Sequence, residues 1–95
     1  MQIKRKKIEK NLQKKGFEKI ERKGHTYLHH VYQGKYSGIK TYLSRGSGYK
    51  DYGDDLINMM KKELFLDSIK QAADLFNCPM DESQYNSILI NKGKI

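Results

Sequence analysis

The chain's three histidines, His25, His29 and His30, fall within six positions in the stretch "KGHTYLHHVY" (23–32). Imidazole can exchange a proton near neutral pH, ligate a metal, or serve as an ordinary polar group on a wet surface. Spacing separates these roles. His25 and His29 are four apart, which is ligand spacing on a helix. The segment reads instead as a β-strand, where four residues span about 13 Å, too far for one ion. Cys78 is the only cysteine and so the only thiolate a metal could recruit. No metal and no other cofactor is expected.

Side chains on a strand alternate between faces. Thr26, Leu28, His30 and Tyr32 share one face of this segment; His25, Tyr27, His29 and Val31 share the other. The next strand, "IKTYLSR" (39–45), alternates more cleanly. Ile39, Thr41 and Leu43 face the core, and Lys40, Tyr42 and Ser44 face outward. If Leu28 is also core, then His25, Tyr27, His29, Lys40 and Tyr42 gather on one open face. A slip of one residue would turn the histidine pair inward instead. The open-face arrangement is basic and aromatic, which suits RNA: rings stack bases and lysines meet phosphate. On this reading His30 faces the helices as a hydrogen-bonded structural residue.

The elements that must position these groups follow from periodicity. Ile3, Ile8 and Leu12 predict an amphipathic helix over 3–15, stopped at Gly16. Strands are predicted at 17–23, 25–33 and 38–45, with Ile20 as the core residue of the first and "QGKYSG" (33–38) as a loop or turn. "GSG" (46–48) lacks the Gly-Lys-Ser/Thr of a phosphate-binding loop and reads as a plain loop. Three helices follow. Residues 54–65 place Leu56, Met59, Met60 and Leu64 on one face, behind Asp51, Asp54 and Asp55 as capping acids. Residues 67–76 open on Asp67 as N-cap. Residues 81–90 carry Asp81 and Gln84 at capping-box spacing, with Pro79 ahead of them. "NKGKI" should fray. The expected fold is α+β: a two-layer sandwich of three antiparallel strands with helices on one face (αβββα), plus extra C-terminal helices. At 95 residues the chain is one domain.

Net charge is +8 and uneven. Residues 1–24 hold ten Lys/Arg against three Glu, +7; residues 25–53 add +3; residues 54–95 carry −2. A basic first half suits a polyanion. The expected RNA contacts are Lys4, Arg5, Lys6, Lys7, Lys23, Tyr27, His29, Lys40, Tyr42 and Arg45. One cysteine allows no internal disulfide, which fits a reducing cytoplasm, with Cys78 as a buried thiol. No apolar run reaches membrane-spanning length, so no membrane partner is expected.

"KKGF" (14–17), "KGH" (23–25) and the element order together resemble the HicA-type mRNA interferase toxins over roughly residues 3–65. That resemblance implies a double-stranded-RNA-binding-domain-like fold and metal-independent cleavage of mRNA by a sheet histidine. It also implies neutralisation by a HicB-type antitoxin partner. His25 occupies the catalytic position. Where the family carries Gly-Ser-His, this chain has Lys23-Gly24-His25, without the serine. The stretch from Gly38 to Leu64 is also similar to a group of small prokaryotic proteins that carry helices beyond the toxin core. The expected function is RNA binding of HicA type, extending to endoribonuclease (hydrolase) activity through His25, with His29 as helper. The alternative is a non-catalytic protein-interaction or regulatory module.

Overall fold

The computed structural model describes residues 2–44, 46, 50–77 and 79–95. Arg45, Cys78 and most of "GSG" therefore lie outside the described residues. The order is β1 (Ile3–Lys4), α1 (Arg5–Lys14), β2 (Phe17–Arg22), β3 (His25–Tyr32), β4 (Lys35–Ser44), β5 (Asp51–Tyr52), α2 (Asp54–Glu63), α3 (Ile69–Phe76) and α4 (Glu82–Asn91). It is α+β, with β2-β3-β4 forming an antiparallel three-stranded sheet under the helices, as expected. No described helix is long and apolar enough to cross a membrane.

The first helix starts two residues later than its apolar spacing suggests. Ile3 is buried in a two-residue pairing, Ile3 opposite Tyr52 and Lys4 opposite Asp51. Lys4 is extended, and the Arg5 N–H donates to the Lys50 carbonyl at 2.8 Å. From there Ile8 and Leu12 turn fully inward. Gly16 ends the run with φ +94°, a left-handed conformation that favours glycine. A Cβ there would also meet the Glu82 carboxylate at 2.5 Å.

Between β3 and β4 the connection is only Gln33–Gly34, both at positive φ (52° and 79°), closing the Tyr32–Lys35 pair. That is the primed-turn geometry whose twist matches a hairpin. Residues 35–38, read from sequence as loop, thus belong to β4. A bulge between His29 and Val31 absorbs the change of register.

Leu28, Thr26, His30, Ile39, Thr41 and Leu43 are all buried beneath the helices. Ile20 is not among them. Phe17 pairs with His30 and takes the core parity of β2, so Ile20, opposite Tyr27, lies half-buried on the open face. Lys19 takes the helix-side position and reaches Glu9 of α1 at 3.9 Å.

In α2 the buried stripe is Ile57 and Met60, continuing to Leu64. Met60 and Leu64 are buried as expected, but Ile57 takes the inward position, leaving Leu56 only partly buried and Met59 exposed. Gly53 occupies the N-cap without a side-chain cap, and Asp54 and Asp55 lie in the first turn, where carboxylates suit the helix dipole. Ser68, not Asp67, caps α3: its Oγ accepts from the Gln71 N–H, while the Asp67 N–H donates to Gln71 Oε1. Asp81 and Gln84 form the expected reciprocal capping box on α4.

The C-terminal helices share one core with the sheet, since Ala72, Leu75, Phe76, Tyr85 and Leu89 join Leu12, Leu28 and Leu43. Polar contacts reinforce that join. Asn11 donates to the Phe76 carbonyl, Lys15 Nζ to the Leu75 and Asn77 carbonyls, and the Tyr85 hydroxyl to the Leu64 carbonyl. The tail expected to fray is tied down. The Gly93 and Lys94 N–H groups close a left-handed cap on α4. Lys92 Nζ donates to the Phe65 carbonyl and to Asp67 Oδ1, both at 2.6 Å.

Candidate nucleic-acid interface

The open face of the sheet carries a continuous strip of rings. His25, Tyr27 and His29 follow one another along β3 with centroid separations of 6.2 and 6.3 Å. From β4, Tyr42 lies 5.0 Å from His25 and 5.8 Å from Tyr27, and Tyr36 lies 5.3 Å from His29. Lys40, opposite His29 in the ladder, holds its Nζ 5.9 Å from the centre of the Tyr27 ring. Strand alternation produces this strip directly: with Leu28 inward, its odd-numbered neighbours must point out. All the rings retain solvent access, and Tyr36 is 52% exposed.

Tyr36 was hidden in sequence by the loop reading of 33–38. Recognising Gln33–Gly34 as a complete two-residue turn would have placed it in the strand. Its hydroxyl donates to Glu18 Oε1 at 2.7 Å, which raises its pKa because the carboxylate holds the phenolic proton.

His25 and His29 are not brought together. Tyr27 stands between them, and the strand rise separates them by about 13 Å. Groups so far apart cannot both reach one phosphate. The nearest ring to His25 across the strands is Tyr42.

His30 sits on the opposite face with no solvent exposure. Its Nε2 donates to Asn86 Oδ1 at 2.7 Å, and its Nδ1 lies 2.8 Å from Ser37 Oγ, from which it accepts in that tautomer. Phe17 and Tyr85 flank the ring at 5.3 and 5.4 Å. Burial holds its pKa below the ordinary value, against smaller upward pulls from the Asn86 bond and the Glu82 carboxylate. It is a core group, as its strand parity implies.

Lys40 aside, the basic residues expected to meet RNA lie around the sheet's end rather than among the rings. Arg5 Nη1 donates to the Ser44 carbonyl at 2.9 Å and to that of Gly46 at 3.3 Å. Ser44 pairs with His25, so the start of α1 sits at the His25 end of the sheet. There Lys4, Arg5, Lys6, Lys50 and Asp51 line a depression of about 300 Å³. Lys4, Lys6 and Lys7 are exposed, and Arg5 is partly committed to the two carbonyls it binds. Lys23 is exposed in the β2–β3 turn beside His25. Arg45 is outside the described residues. Among the described residues no three His, Cys, Asp or Glu side chains gather as metal ligands. No family model matches the chain, and neither a curated protein nor a solved structure matches it.

Proposed function

We propose that this protein binds RNA on the open sheet face, in the manner of the HicA-type toxins it resembles, and cleaves it through His25 without a metal. The observation that carries this reading is the ring strip Tyr42–His25–Tyr27–His29–Tyr36, flanked by Lys40 and ending at the basic start of α1. Bases stack on successive rings, and the lysines take the backbone.

The chemistry is internal transesterification. His25 removes the proton of a ribose 2′-OH. The 2′-oxygen forms its bond to the adjacent phosphorus, the P–O5′ bond breaks, and the leaving 5′-oxygen takes a proton. The products are a 2′,3′-cyclic phosphate and a 5′-hydroxyl. Tyr42, nearest to His25 across the strands, or a water supplies the second proton; His29 lies too far along the strand to act on the same phosphate. A cytoplasmic location and a HicB-type antitoxin covering the ring face accompany this reading.

The test is cleavage of a single-stranded RNA in EDTA by wild type, His25→Ala and Tyr42→Phe, with binding measured across a salt series. Loss of general acid–base help costs roughly 10²–10⁴ in rate. His25→Ala should show a loss of that size while still binding RNA, and affinity should fall steeply with salt. Undiminished cleavage in His25→Ala overturns the catalytic assignment. Absence of salt-dependent RNA binding overturns the whole reading in favour of a protein-docking module.

A further inference from the structure

The sheet order β2-β3-β4 leaves β2 as an outer strand, and its sequence is its own antiparallel complement. The phase of its backbone follows from one bond. The Val31 N–H donates to the Gly16 carbonyl at 2.9 Å, extending the register in which Phe17 opposes His30. Bonded and non-bonded pairs alternate in an antiparallel ladder. Glu18, Ile20 and Arg22 therefore turn their backbone groups toward β3, and Phe17, Lys19 and Glu21 turn theirs to the outer edge. A second copy meeting this edge must pair its own outward residues with these.

We infer that two copies of this chain associate through β2, antiparallel about a two-fold axis at Ile20. In that register Lys19 opposes Glu21 of the second copy as a hydrogen-bonded pair, Glu18 opposes Arg22, and Ile20 opposes Ile20. Four ion pairs then form by symmetry. Sliding by two residues, the smallest shift that keeps outward groups paired, sets Lys19 against Lys19 in one direction and Glu21 against Glu21 in the other. Like charges directly opposite are destabilising. The charge pattern thus selects one register.

Charges on an edge strand ordinarily deter pairing, and β4, the other edge, fits that rule with two lysines and no acid. β2 differs because its signs alternate in a palindrome. Within one chain Lys19 lies at 3.9 Å from Glu9 and 3.8 Å from Glu21, long contacts between partly exposed side chains that the second copy can replace. Two six-residue strands bury little area, so the association belongs to the weak, concentration-dependent class. The joined sheet has six strands, with both ring strips on one face, and the inference does not rest on the RNA reading.

The experiment is sedimentation over a concentration series, with circular dichroism to check folding. The wild-type mass should rise from 11.2 kDa toward twice that value. Lys19→Glu and Glu21→Lys should each stay monomeric, and the double variant should regain the dimer, since its reversed pairs are again complementary. As a second measurement, Ile20→Cys in a Cys78→Ser background should oxidise to a cross-linked dimer, because residues opposed at a non-bonded pair have Cβ atoms about 4.5–5.5 Å apart. Glu18→Cys in the same background should not. A wild type that stays monomeric without the Ile20→Cys cross-link overturns the inference. So does a dimer indifferent to the single reversals, or one the double variant fails to restore.

Discussion

Truncating His30 to alanine should cost this protein about 4 kcal/mol. The side chain is fully buried and flanked by Phe17 and Tyr85, so its removal leaves a ring-sized hole. Aromatic truncations in cores cost roughly 3–5 kcal/mol. The change also takes from part-buried Asn86 Oδ1 its imidazole partner at 2.7 Å, whereas Ser37 Oγ keeps the Ile39 N–H and the His30 carbonyl. A buried polar group left unpaired costs about 1–3 kcal/mol, which water entering the hole partly offsets. Domains are stable by only about 5–15 kcal/mol, so the loss is a large share of the total. At roughly 4–8 °C per kcal/mol for a domain of this size, Tm should fall by about 15–30 °C. Urea denaturation followed by circular dichroism measures it. A loss below about 1.5 kcal/mol would refute the packing argument.

The same side chain sets a pH signature. Burial holds the folded imidazole below its ordinary 6.5, so the unfolded chain binds a proton that the folded chain resists. Stability therefore declines as pH falls below 6.5, by at most about 1.4 kcal/mol per pH unit, and His30 adds no slope above that range. The wild-type curve should lose that component in His30→Ala. Parallel curves through the window would contradict it.

Two further substitutions probe the join between sheet and helices and the central turn. Lys15→Met keeps the stem but removes the ammonium bound to the Leu75 and Asn77 carbonyls. It should cost about 2–3 kcal/mol in urea melts, since bonds to charged groups contribute about 1.5–3 kcal/mol. Gln33→Asn puts a residue tolerant of positive φ at the first turn position and should raise stability by about 0.5 kcal/mol, read as a higher denaturation midpoint.

Most of the architecture was legible because the strongest signals are local. The alternation of Ile39, Thr41 and Leu43, Gly16 as a helix stop and the Asp81–Gln84 box each depend on a few neighbouring residues, and each is present. Several misreadings have a different cause. Ile20 is the most apolar residue inside β2, yet Phe17 at its start fixes the parity. Ile3 extends the helical spacing, yet Tyr52, far along the chain, draws it into a strand pair. Lys15 falls with Lys14 in the last turn of a basic helix, where a cation suits the helix dipole. It is buried because α3, whose last turn has no basic residue of its own, ends beside it. Contacts over such separations leave no periodic trace. The candidate site was legible in β3 and in the outer part of β4; the bulge after His29 and the early start of β4 hid Tyr36.

The distribution of polarity across the sheet supports the proposal that its open face binds a ligand. Thr26, His30 and Thr41 occupy covered positions, while Tyr27, Tyr36 and Tyr42 face solvent. Exchanging Thr26 with Tyr27 and Thr41 with Tyr42 would suit a sheet selected for stability alone, since rings gain most from burial. The buried polar groups are instead matched one by one. Thr41 Oγ1 donates to Glu63 Oε1, His30 bonds to Ser37 and Asn86, and among the described residues no buried side-chain nitrogen or oxygen lacks a hydrogen-bond partner. The covered face thus tolerates its polarity without leaving orphaned groups. The open face keeps large rings in water, where they contribute least to folding and are available to a ligand. Local rules and fold stability are expected to part company at functional surfaces, and their parting along the strip that holds His25 supports the role proposed for it.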